Sequence, residues 1–241
     1  MSGHSKWATI KRKKASLDAK RGKEFTKLIK EITVAARLGG GGDPTGNPKL
    51  RLLMDKAKEI NMPLDNVMRA IKRGTGEMPG VNYEEQSYEG YGPYGIAVVV
   101  DSLTDNKNRT VAELRRLFSS HNGSLAETGS VSWMFQRNGA VEVTGATSED
   151  QLLELLLDYD IKDIKHYNGT YTVLCEPKSL EKVKDSLSKA GLKIERAELD
   201  LVAQNYVALR HEDYEKATEF LAELEDHEDV QNIYTNLNGE G

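Results

Sequence analysis

Within the first fourteen residues, Lys6, Lys11, Arg12, Lys13 and Lys14 surround one indole, Trp7, and no carboxylate occurs before Asp18. Side chains of these types do ionic and stacking chemistry rather than bond breaking. Each Lys or Arg neutralises a backbone phosphate and releases condensed counterions. An indole stacks on an unpaired base or ribose. Lys20, Arg21, Lys23 and Lys27 carry the cationic series into the first helical stretch, and Arg69, Lys72 and Arg73 recur further on at helical spacing. A bland account exists for both clusters. Termini and like-charge runs are commonly loose and solvated, and cations near a helix C-terminus complement its dipole. The arrangement of the remaining charge shifts the balance.

The 241-residue chain is net acidic by −5. Residues 1–76 hold 18 Lys/Arg against 7 Asp/Glu, a net of +11, whereas residues 77–241 hold 15 against 31, a net of −16. Such asymmetry points to a nucleic-acid or membrane contact on the basic part. The acidic remainder repels phosphate, so contact is expected at one end only. No stretch approaches the roughly 18 consecutive apolar residues of a membrane span, and the basic N-terminus lacks the apolar core of a signal peptide. Cys175 is the single cysteine, set in an alternating apolar run. A disulfide framework is therefore excluded, a reducing cytoplasm is the expected compartment, and Cys175 reads as strand packing.

Signatures of catalysis are sparse. His4, His121, His166, His211 and His227 are scattered, and none pairs with Cys or Glu at metal-ligand spacing. Nucleophile-elbow, kinase and zincin motifs are absent. Gly90-Tyr-Gly-Pro-Tyr-Gly95 spells a dinucleotide fingerprint, but Ile96-Ala-Val-Val-Val100 follows it where a helix is required. It reads as a hairpin loop. The run Gly39–Gly42 lacks both a preceding strand and a following Gly-Lys-Ser/Thr, so it reads as a turn between helices. The expectation is a non-enzymatic protein with no cofactor, no metal, no membrane contact and no small-molecule substrate. An enzyme stays a minor alternative, because groups distant in sequence can assemble in space.

These cations need elements to position them. Phe25, Leu28, Ile29, Ile32 and Ala36 predict a helix over 23–37, which glycine and proline at 39–44 must end. Pro48 opens a second helix to about Glu59, and Pro63 a third, striped by Leu64, Val67, Met68 and Ile71 and closed at Gly74. At 74–82 the charge changes sign and the pattern becomes β-rich. Strands are expected at 83–91, 96–102 and 131–136, with a helix through Val111, Leu114, Leu117 and Phe118 capped by Asn108 or Thr110. Residues 139–199 read β-α-β-β-α-β, the ferredoxin-like order, with Asn168-Gly169 turning the central hairpin. A strand at 205–210, a helix at 212–225 and a strand at 230–237 are too little for a domain of their own. The expected fold class is α+β: a basic arm and three-helix domain at 1–76, a discontinuous α+β domain at 77–137 plus 204–241, and a ferredoxin-like domain at 138–203 inserted into it.

Gly3-His-Ser-Lys-Trp7, Asp18–Lys23, Ile32-Thr-Val-Ala-Ala36 and Asn47-Pro-Lys-Leu-Arg51 resemble the YebC/PmpR family. Asn61-Met-Pro63, Tyr88–Pro93, Leu103–Thr110 and Gly129-Ser-Val-Ser132 extend the resemblance over nearly the whole chain. An extra glycine in the 39–42 run is the one departure, and it alters loop length. The resemblance implies one helical and two α+β domains, with the second completed by the C-terminus, and no catalysis. It implies either a DNA-binding transcriptional regulator acting on promoter DNA or a ribosome-associated translational activator. The latter would contact ribosomal or transfer RNA and relieve stalling at proline-rich stretches.

Overall fold

The computed structural model describes residues 19–146, 148–167 and 169–238. It opens with three helices, α1 (Ala19–Leu38), α2 (Pro48–Glu59) and α3 (Leu64–Gly74). Leu28, Ile32, Ala35 and Ala36 of α1 meet Leu50, Leu53, Ala57, Val67, Ala70 and Ile71 in one core. Apolar residues at helical spacing turn one stripe of each helix inward. Asn47 fixes the α1–α2 turn: its Oδ1 accepts from the Leu50 N–H at 3.0 Å, and its Nδ2 donates to the Ala35 and Gly41 carbonyls. Gly40 and Gly41 take φ of 101° and 105°, the left-handed region open to glycine. At Gly74 a Cβ would lie 2.3 Å from the Thr33 carbonyl oxygen, so only glycine lets α3 close on α1.

The rest of the chain runs β1 (Glu84–Tyr91), β2 (Ala97–Thr104), α4 (Lys107–Ser120), β3 (Ser124–Ala126) and β4 (Phe135–Thr144). It continues through α5 (Glu149–Leu155), β5 (Ile161–Tyr167), β6 (Thr170–Cys175), α6 (Leu180–Lys189), β7 (Lys193–Ala203), α7 (His211–Asp226) and β8 (Val230–Thr235). Two antiparallel sheets result, ordered β3-β1-β2-β8 and β5-β6-β4-β7. The second is the ferredoxin-like order. In the first, Val98 and Val100 face Leu114, Phe118, Phe220 and Leu224 of α4 and α7, with Phe118 and Phe220 edge to face at 5.0 Å. In the second, Val141, Val143 and Val173 face Leu152, Val183 and Leu187. A fourth cluster joins the sheets, setting Ala97, Val99 and Tyr234 against Val131, Phe135 and Ala203.

Three local expectations change. The α4 cap is Asn106, whose side chain accepts from the Arg109 N–H at 3.1 Å, two residues before the expected start. The segment 205–210 forms only an isolated bridge, Val207 to Leu237: β8 ends at Thr235, and Val207 alone meets the chain beyond it, donating to the Asn236 carbonyl and accepting from the Asn238 N–H. Residues 131–134 are not strand: Ser132–Met134 is a 3-10 turn, and β4 begins at Phe135. The cause is the buried Glu89 carboxylate, which accepts the N–H groups of Gly129, Val131 and Ser132, each at 2.8 Å. Successive strand N–H groups point alternately, so only a turn converges three donors on one carboxylate. Burial pushes the Glu89 pKa up, but those backbone donors outweigh it and hold it below the ordinary value. Trp133 is consequently displayed at 66% exposure, its indole N–H held by the Ser130 carbonyl.

Candidate nucleic-acid interface

Helix α3 buries Val67, Ala70, Ile71 and Gly74 and turns Arg69, Lys72 and Arg73 to solvent. No ion pair engages these three among the described residues. The Arg73 stem lies along Gly80, where a Cβ would sit 3.0 Å from Arg73 Cβ. The guanidinium therefore keeps its charge outward while its alkyl part packs.

The cations of α1 have a different fate. Lys23, Lys27 and Lys30 share one face, and that face is turned to the C-terminal end of α7. Lys23 pairs with Asp226 at 3.3 Å. Lys27, only 8% exposed, donates to the Glu225 carbonyl at 2.5 Å. Lys30, 6% exposed, donates to the Glu228 carbonyl at 3.1 Å and to Asp229 Oδ1 at 2.6 Å. The last carbonyls of a helix lack intrahelical partners and carry the negative end of its dipole, so lysines satisfy them well. Lys27, expected from sequence to contact phosphate, is thus spent inside the protein, and Lys23 is partly neutralised there. Lys30, which by spacing flanks the apolar stripe of α1 together with Lys23 and Lys27, is not among the residues expected from sequence to contact phosphate.

Asp229 is the hub of that seam. It accepts from Lys30, from Thr110 Oγ1 at 2.7 Å, from Arg109 at 3.0 Å and from Thr104 Oγ1 at 3.2 Å. Burial raises its pKa, but the Lys30, Thr110 and Arg109 bonds overcome this and hold the carboxyl far below the usual carboxylate range. Beside it, the Asp229 N–H donates to His227 Nδ1, and His227 Nε2 lies 2.9 Å from Glu113 Oε2. Glu113, His227 and Asp229 bring one ligand atom each within 4.8 Å, a spacing that suits a metal ion. Their donors and acceptors are already engaged by the protein's own groups, which is the opposite of a preformed open site. Tyr83 closes the seam. Lys30 Nζ lies 5.5 Å from its ring centroid, the Arg37 guanidinium donates to its carbonyl, and its phenol feels Arg73 and Arg109.

Lys6, Trp7, Lys11, Arg12, Lys13 and Lys14 lie outside the described residues. Lys20 and Arg21 fall in the first turns of α1. Cys175 is wholly buried, and desolvation first, then the Glu176 charge, pushes its thiol up to about 11, which suits packing and not nucleophilic attack. No described helix is long and apolar enough to cross a membrane.

Fold and charge define a protein with a basic helical module docked by ionic contacts onto a two-sheet α+β body. Residues 5–77 match the model described as the TACO1/YebC protein N-terminal domain, and residues 83–237 the model of the TACO1/YebC second and third domain. The chain belongs to the TACO1/YebC family. It is 54% identical over 239 residues to a "Probable transcriptional regulatory protein" of Chlorobium chlorochromatii, covering 98% of this chain and 95% of that one. A protein of the same description from Chlorobaculum tepidum is 56% identical over the same share. The crystal structure of a conserved hypothetical protein from Aquifex aeolicus has the same fold, with a TM-score of 0.80, 42% identity and coverage of 93% of each chain.

Proposed function

We propose that this protein is a non-enzymatic, cytoplasmic regulator of transcription that binds duplex DNA through its basic N-terminal part. The observation that carries this reading is the solvent-facing set Arg69, Lys72 and Arg73, engaged by no ion pair among the described residues, in a module whose helix α1 turns Lys23, Lys27 and Lys30 to contacts within the protein. The arm residues Lys6, Lys11, Arg12, Lys13 and Lys14, with Lys20 and Arg21, supply further phosphate contacts, and Trp7 among them offers an indole for stacking on a base or ribose. The net of +11 over residues 1–76 supports an electrostatic footprint of this size. The description shared by the Chlorobium and Chlorobaculum relatives, transcriptional regulation, agrees with it. The same reading divides the chain at 1–76, at 77–137 with 204–241, and at 138–203; pairing of β8 with β2 supports the discontinuous middle domain.

The test is ultraviolet crosslinking in living cells with sequencing of both attached DNA and attached RNA. Crosslinks concentrated at a few promoters, lost when Lys11, Arg12, Lys13 and Lys14 are changed to Glu in a protein that still folds, are the expected result. Crosslinks from the arm to ribosomal or transfer RNA, with little DNA, refute the DNA reading and make the protein a translation factor.

A further inference from the structure

The acidic part of the chain contains one strongly basic helix, with a net charge of +3 where the next most basic, α6, has +1. α4 carries Lys107, Arg109, Arg115 and Arg116 against a single carboxylate, Glu113, while its neighbour α7 carries seven carboxylates and one lysine. The fold places this helix against the basic module. Arg109 reaches Asp229, which Lys30 of α1 also holds, and Lys107 pairs with Glu84 at 2.6 Å, next to Glu85, which pairs with Lys49 of α2 at 3.7 Å. The charges of Arg73 on α3 and Arg109 on α4 both act on the Tyr83 phenol, so both helices lie near that residue.

From that seam the positive charge continues outward along α4. Arg116 follows Arg109 by seven residues, two helical turns on the same face and about 10.5 Å away. Arg115 adjoins it, and the buried stripe Thr110, Leu114 and Phe118 lies on the opposite side. Arg115 and Arg116 are exposed and engaged by no ion pair among the described residues. Arg115 and Arg116, two exposed arginines without ion-pair partners among the described residues, stand on the most cationic helix of an acidic body and take no part in its packing. Each is well suited to a phosphodiester oxygen, which a guanidinium meets with two parallel N–H donors.

We infer that the nucleic-acid interface does not stop at the helical module but crosses the Tyr83 seam onto α4, where Arg115 and Arg116 bind backbone phosphates of the same duplex. This deepens the proposed function and rests on it. The Lys30–Asp229–Arg109 contact then has a second consequence: it holds α3 and α4 at a fixed separation, so both engage one ligand only when the seam is closed.

The experiment is a salt titration of binding by the full chain to a fluorescein-labelled duplex of mixed sequence, about three helical turns long. Log affinity falls with log salt by about 0.9 per phosphate neutralised. The Arg115→Gln/Arg116→Gln variant is expected to bind more weakly, with a slope shallower by about 1.8. The charge-conserving Arg115→Lys/Arg116→Lys variant is expected to keep the slope, and circular dichroism checks that each variant folds. A parallel Arg69→Gln/Lys72→Gln/Arg73→Gln variant separates the two claims. If it flattens the slope while the α4 double variant does not, the extension onto α4 is overturned and the proposed function stands. If the unmodified protein binds the duplex with no salt dependence, or not at all, both fall together.

Discussion

Removing the charge at the seam is the sharpest test of how the helical module is held. Asp229 is 1% exposed and accepts four side-chain donors, among them Lys30, itself 6% exposed. Asp229→Asn is nearly isosteric, so it leaves no cavity, yet it faces a buried ammonium with a neutral oxygen and presents an amide NH2 toward other donors. Breaking a buried pair from one side costs about 3–5 kcal/mol, because the surviving charge stays desolvated. For a chain of this size, about 2–4 °C per kcal/mol converts that into a fall in Tm of roughly 6–20 °C. Urea denaturation at neutral pH measures the loss directly. Lys30→Met removes the stranded ammonium, so the double variant is expected to lose about 0.5–3 kcal/mol less than the two single losses added. The pH dependence carries a second signature. Because the folded pKa of Asp229 lies below the unfolded value of about 3.9, its stabilisation is complete above that value and is lost as pH falls toward the folded one. The Asp229→Asn variant lacks that contribution, so its disadvantage narrows in acid. A loss below about 1 kcal/mol at neutral pH, or a disadvantage that widens in acid, refutes the assignment of Asp229 as the hub.

Two further outcomes follow from other contacts. Glu89→Gln replaces a charged acceptor of three backbone N–H bonds, each hydrogen bond to a charged group contributing about 1.5–3 kcal/mol; faster hydrogen exchange at Gly129, Val131 and Ser132 is expected, along with a shifted Trp133 fluorescence, while unchanged exchange sinks the account of that turn. Gly74→Ala drives a methyl to 2.3 Å from the Thr33 carbonyl oxygen, so the α1–α3 contact must open; a melting temperature equal to the unmodified protein's shows that the close approach carries no constraint.

Much of this architecture is local, and local signals reach it. Apolar spacing in α1 and α3 marks their buried stripes before any partner is known. Pro48 opens its helix because it fits a first turn, whereas Gly74, expected to close α3 as a cap, is its last helical residue, with Thr75 at the cap, and serves the close approach to α1 instead. The β-α-β-β-α-β order of 135–203 could be read because each element carries its own period. Where expectation failed, the reasons differ: at the α4 cap two adjacent local candidates competed and Asn106 won over Asn108, whereas at 129–132 the deciding group came from afar, Glu89, forty residues upstream.

The same division runs through the interface. The sequence by itself determined where positive charge accumulates: 18 basic residues in the first 76, an indole among them, and no catalytic motif. Tertiary structure alone decided which cations remain available. Lys27 and Lys72 are the same residue type on amphipathic helices of one module, yet Lys27 ends beneath a helix C-terminus and Lys72 faces solvent. α4 likewise belongs to an acidic stretch by sequence, and only the docking at Asp229 sets its Arg109 beside Lys30 of the basic module. Charge is a property of composition, but availability depends on desolvation and partners, and those are set by contacts nearly two hundred residues apart in the chain.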